Sequence, residues 1–125
     1  QSSLHNTRNK FNSNLKNVSQ YKIECISLDS CFYQKNKKEA IDLLKIDAEG
    51  EDLNVLKGSK KLLKNKKIKL IKIELLNSFF DLGKKSNINE IIFFLNKYNY
   101  YLTTITKTKY VDEKLLMMDV YFTYK

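Results

Sequence analysis

A chain of 125 residues with 42% apolar residues fits one domain with a core, which argues against an intrinsically disordered chain. Its formal charge of +9, from 23 basic and 14 acidic residues, favours anionic partners without setting a fold. No apolar run approaches the ~18 residues of a membrane span and no signal peptide is visible, so the chain reads as soluble and cytoplasmic. Cys25 and Cys31 lack the spacing of a zinc site or redox pair and read as reduced thiols.

Residues 1–20 are polar, rich in Ser and Asn, and read as irregular structure. Tyr21–Leu28 alternates polar and apolar residues and predicts a strand. A short helix is expected over about Cys31–Glu39. Ile41–Ile46 is almost continuously apolar and predicts a strand buried on both faces, as in a parallel sheet. The period then changes. Leu53, Val55, Leu56 and Leu63 form one stripe of a helix expected over Glu51–Lys64, with acids in its first turn and lysines near its end, both favourable to the helix dipole.

Ile68–Leu76 predicts a second buried strand and Ile88–Tyr98 a second amphipathic helix, with Ile88, Ile91, Ile92 and Leu95 on one side. Tyr100–Lys107 and Leu116–Tyr124 read as strands, joined through Thr108–Lys114 as an antiparallel hairpin. In the last strand Met118, Val120 and Phe122 share one face, and Met117, Tyr121 and Thr123 the other. Alternation of buried strands with helices argues for an α/β fold with parallel strands in its middle and this hairpin closing the sheet. The aromatic group Phe93, Phe94, Tyr98, Tyr100 and Tyr101 reads as core and packing surface.

The chemistry concentrates in Ile41–Gly58, IDLLKIDAEGEDLNVLKG. A buried strand ends in Asp47, turns at Glu49-Gly50 and enters a helix. In open α/β sheets ligands bind beyond the carboxyl ends of the strands, where Asp47 and Glu49 would stand. Gly50 lets the backbone turn sharply, and Asp52 is placed to cap or complement the helix N-terminus. Capping alone also explains acids at these positions. His5, the one histidine, has no ligand-spaced partner, which argues against zinc.

This segment resembles the signature of FkbM-type methyltransferases through Asp42, Lys45, Asp47, Glu49, Gly50, Leu56 and Gly58. Ser27-Leu28-Asp29 matches the family's Thr-Leu-Asp upstream, and Glu74 the acid ending the next strand. Glu51-Asp52 departs from the usual small residue followed by Glu. The likeness spans about Ser2 to Tyr124 and is specific in Ile41–Gly58. It implies the C-terminal portion of a Rossmann-like methyltransferase sheet, with residues 1–125 a partial domain. It further implies S-adenosylmethionine as cofactor and a hydroxyl on a sugar or other small metabolite as acceptor. Asp47 and Glu49 would be catalytic and Glu74 and Gly50 substrate-binding, with hard-metal ligation by these acids an alternative.

Such enzymes hold the cofactor on a glycine-rich loop after the first strand, with an acid after the second for the ribose. No glycine precedes Gly50 here, so the cofactor-binding half is expected to be missing and the chain inactive alone. Two readings compete. Lys57–Lys72 holds eight lysines and no acid lies between Asp52 and Glu74, as in a non-specific nucleic-acid-binding module. Only Arg8 supplies the preferred base-reading side chain, so specific recognition is not expected. The other competitor is a non-catalytic interaction subdomain that keeps the methyltransferase pattern.

Overall fold

A computed structural model describes residues 19–76 and 87–125. The elements run α1 (Leu28–Gln34), β1 (Ile41–Ile46), α2 (Asp52–Lys57), α3 (Lys60–Lys64), β2 (Ile68–Leu76), α4 (Ile88–Asn96), β3 (Tyr100–Val111) and β4 (Lys114–Tyr124). The strands form one sheet in the order β1-β2-β4-β3. β1 and β2 are parallel, with Leu44 beside Ile71 and Ile46 beside Ile73. β4 runs antiparallel to both β2 and β3. The result is a mixed α/β fold with the expected closing hairpin and a parallel pair that lies at one side of the described sheet rather than in its middle. The β3–β4 turn is only Asp112-Glu113, both at positive φ (48° and 61°), the geometry that matches the right-handed twist of two strands.

Period-two alternation decides which side of the sheet is dry. Ile71, Ile73 and Leu75 of β2, with Met118, Val120 and Phe122 of β4, enter one core with Phe32, Leu56, Leu62, Leu63, Ile91 and Leu95 from the four helices. Tyr100 joins them, and its hydroxyl donates to the Ile68 carbonyl at 2.6 Å. Burial pushes that phenol up to about 12. The intervening residues Leu70, Lys72, Glu74, Tyr121 and Thr123 lie on the other side and keep partial exposure. No helix among the described residues covers that side.

Four expectations change. Tyr21–Leu28 is not a strand: Tyr21–Ser27 is irregular, with Tyr21 84% and Ile23 73% exposed. Alternation without a sheet neighbour gives the backbone groups nothing to pair with. The helix instead begins at Leu28, because the Ser27 side chain caps it by accepting from the Ser30 N–H, and it stops at Gln34 before Asn36 turns left-handed. β1 is covered on one face only and is an edge strand of the described sheet, with Leu43 half exposed.

The Glu51–Lys64 helix is two helices, α2 and α3, broken at Gly58-Ser59. The break has a cause far away in sequence. The Asp29 carboxylate accepts from the Lys61 and Leu62 N–H groups at 2.9 and 3.0 Å, and the Asp29 N–H donates to the Gly58 carbonyl at 2.9 Å. These bonds satisfy the first free donors of α3, which a continuous helix would have used internally. Gly58 suits the close approach: a Cβ there would stand 3.3 Å from the Ser27 Cβ, a tight contact that the neighbour would have to relieve.

Candidate active site

The parallel pair β1–β2 sends its carboxyl ends to one rim. Asp47 directly follows Ile46 and Glu74 follows Ile73, and these two isoleucines are register partners. The acids therefore leave the parallel ladder at the same level on neighbouring strands. On β4, Asp119 is the register partner of Glu74. Three carboxylates thus fall along one line across β1, β2 and β4.

After β1 the chain makes a tight turn. The Glu51 N–H donates to the Ala48 carbonyl at 3.0 Å, with Glu49 at φ 48° and Gly50 at φ 102°. A left-handed glutamate costs roughly 1–2 kcal/mol relative to ordinary helical geometry, so something must hold it. Asp52 does so from the first turn of α2. Its buried carboxylate accepts from the Ala48 N–H at 3.1 Å and from the Gly50 N–H at 3.2 Å. The helix-capping role expected of Asp52 is replaced by this clamp on the preceding turn. Gly50's N–H is engaged in the clamp and does not point to a ligand. Lys45 lies 3.9 Å from Asp47, both about half exposed, a contact that stabilises little.

On the open side of the sheet lies a cleft of about 420 Å³. Its lining is Lys45, Lys72, Glu74, Lys107, Thr108, Lys109, Met117 and Asp119. Glu74 is in it; Asp47, Glu49 and Gly50, which the resemblance assigned to the same site, are not among its lining residues. The floor is an ion pair, Lys72 Nζ to Asp119 Oδ2 at 3.1 Å, with Asp119 almost fully buried. The hydrogen bond to Asp119 holds the Lys72 ammonium above its ordinary value.

Asp119 is the site residue that sequence reasoning passed over. The signal was present: one carboxylate inside the apolar run Leu115–Phe122, on the face opposite Val120 and Phe122. A buried charge is kept only where it is paired, and the lysine that pairs it is 47 residues away on β2.

The lysines of Lys57–Lys72 do not form one stripe. Lys69 pairs with Asp42 at 2.6 Å and Lys72 with Asp119. Lys66 donates to the Tyr98 carbonyl and stands over the Tyr100 and Tyr124 rings, where burial lowers its affinity for the proton. Lys67 donates to the Lys38 carbonyl at 2.9 Å. Among the described residues no group of three or more His, Cys, Asp or Glu is arranged to hold a metal ion, and no helix is long and apolar enough to cross a membrane.

A parallel strand pair with acids at its carboxyl ends, a glycine turn into a helix and a closing antiparallel strand define a mixed α/β domain. The chain belongs to the FkbM methyltransferase domain family: the Methyltransferase FkbM domain model matches residues 1–102, from before α1 into the start of β3. This makes it a methyltransferase domain, of a family that generally uses S-adenosylmethionine. No curated protein and no solved structure matches the chain.

The described residues do not by themselves fit that cofactor. Its sulfonium is a cation, and the cleft carries four lysines against two carboxylates. Among the described residues the one glycine in a positive-φ turn is Gly50, with its N–H committed to Asp52. No contact to the methyl donor is therefore assigned here.

Proposed function

We propose that the chain is the acceptor side of an S-adenosylmethionine-dependent O-methyltransferase acting on a hydroxyl of a sugar or other small metabolite. The observation that carries this reading is a row of acids on neighbouring strands, Asp47 after β1, Glu74 on β2 and Asp119 on β4, the last two lining a cleft of small-molecule size in a chain of methyltransferase family.

Methylating a hydroxyl requires the acceptor oxygen to be aimed at the donor carbon and its proton to be removed. Asp47 and Glu49 are the candidate bases, since they stand on the turn that closes over the strand end. Glu74, in the cleft wall, accepts a hydrogen bond from an acceptor hydroxyl and orients it. Gly50 contributes by its missing side chain, which leaves room for an acceptor beside the turn. On this reading the cofactor-binding strands of a Rossmann-like sheet pair along the free edge of β1, outside the described sheet, and this chain alone is inactive.

The test is transfer of labelled methyl from S-adenosylmethionine to a panel of hydroxyl acceptors by the intact protein. Asp47→Asn or Glu49→Gln is expected to lower kcat by about 10²–10⁴-fold with little change in the KM for the donor. Glu74→Gln is expected to raise the KM for the acceptor. Turnover indifferent to all three substitutions would remove these residues from the reaction. Calorimetry of the 125-residue chain alone is expected to show no binding of S-adenosylmethionine, and low-micromolar binding would overturn the division into halves.

A further inference from the structure

The charges of the cleft are not equally satisfied. Lys45 has Asp47 at 3.9 Å and Lys72 has Asp119 at 3.1 Å. Among the described residues, Lys107 and Lys109 have no acidic partner, and the Glu74 carboxylate is in none of the ion pairs. The two unpaired cations also sit where β3 departs from its ladder. Pairing jumps from Thr106–Asp119 to Lys109–Met117, so that Lys107 and Thr108 stand against a single residue of β4, and Lys107 is left-handed at φ 50°. A bulge bends the strand and re-aims its side chains. A lysine holds this backbone conformation only when its surroundings impose it.

The bulge thus presents two cations on one wall of the cleft, and Glu74 presents a hydrogen-bond acceptor on another. Ammonium groups without a carboxylate partner favour an oxyanion, and the cleft volume suits a small molecule rather than a polymer. The exposed lysines of α2 and α3 belong to the helix-covered side of the sheet, so they do not extend the cleft into a track for a nucleic-acid backbone.

We propose that the acceptor of this domain is itself anionic: a hydroxyl compound of the sugar-phosphate class, its oxyanion held by Lys107 and Lys109 and its hydroxyl turned to Glu74. The proposal rests on the methyltransferase reading for the fate of the hydroxyl, but the anion site is read without turnover.

Binding of glucose 6-phosphate and of glucose to the intact protein is compared by calorimetry. The phosphate is expected to bind and glucose not to bind measurably. A double variant, Lys107→Asn with Lys109→Gln, removes both charges and keeps at position 107 a residue that tolerates the left-handed backbone. It should weaken the phosphate by about tenfold or more, the loss expected from one charge-assisted hydrogen bond. Lys60→Gln with Lys61→Gln makes the same change in net charge away from the cleft and should leave binding within about twofold if the attraction is local rather than long-range.

Equal losses in the two double variants, or equal binding of glucose and its phosphate, would overturn the proposal. So would displacement of the phosphate by excess S-adenosylhomocysteine, which would assign the cations to the cofactor carboxylate. Circular dichroism confirms that each variant is folded, and Lys109→Glu alone, which reverses one charge, gives an independent check. If an uncharged sugar is methylated with the same kcat/KM by wild type and the cleft variant, the anion proposal fails and the methyltransferase reading stands. If the phosphate binds as described and no acceptor is ever methylated, the reverse holds.

Discussion

The two faces of the central strands β2 and β4 are built from alternate residues of the same segments, yet they are different environments. On one face Ile71, Ile73, Val120 and Phe122 are fully buried under the helices. One residue along in each case, Lys72, Glu74, Asp119 and Tyr121 lie on the face that holds the cleft. Helix cover makes the first face a packing problem, solved by apolar volume. The second is a charge problem, solved by pairing Lys72 with Asp119 while leaving Glu74 for other work. Function can sit on a strand whose other side carries stability because successive side chains point to opposite faces.

The sharpest way to test the contrast is to truncate adjacent residues of β4. Phe122→Ala should lose about 3–5 kcal/mol, as a large buried aromatic does, read as a shift in the urea midpoint. Tyr121→Ala, on the cleft face, should lose less, since Tyr121 is only partly buried and its ring meets Lys72 at 5.8 Å. Equal losses would mean that the cleft face is covered as thoroughly as the helix face.

The next largest effect is expected at the turn after β1. Asp52→Ala removes both bonds to the Ala48 and Gly50 N–H groups and should cost about 1.5–3 kcal/mol, the scale for hydrogen bonds to a charged group. Because Asp52 acts by holding the turn that carries Asp47 and Glu49, kcat should fall in this variant while acceptor binding to the cleft is preserved. Unchanged stability and turnover would show that the turn holds itself.

Asp29→Ala is expected to cost less, about 1 kcal/mol, the scale of a lost helix cap. It frees the first turn of α3 on the covered side. Binding in the cleft should not change, and a change would show that the two faces are coupled.

The smallest and most selective effect is a pH dependence. The Lys72 ammonium is held above its ordinary value of 10.5 by its hydrogen bond to Asp119. Its contribution to stability is therefore complete below pH 10.5 and is lost as pH rises through the higher folded value. Lys72→Met should flatten that part of the alkaline stability profile. The same alkaline loss in wild type and variant would assign it elsewhere, with Tyr100, pushed up to about 12, the next candidate.

From sequence alone the order of the main elements was readable from Ile41 onward, as was the burial of Ile71, Leu56 and Leu63. Period-two and period-3.6 patterns report which side of an element is apolar, and the core face obeyed them. The Glu49-Gly50 turn was also legible, because its residues and those around it follow a local rule. The family was legible in Ile41–Gly58 for the same reason. Tertiary structure alone decided three other matters. Tyr21–Ser27 alternates like a strand but has no ladder partner among the described residues, and pairing is not a local property. The helix from Glu51 breaks because Asp29, about thirty residues earlier, caps its second half. The cleft exists because β4 inserts between β2 and β3, setting Asp119 beside Lys72 and Glu74 and letting the bulge at Lys107 lean over them. Charges separated by tens of residues meet only once the strand order is set, and neither composition nor periodicity encodes that order.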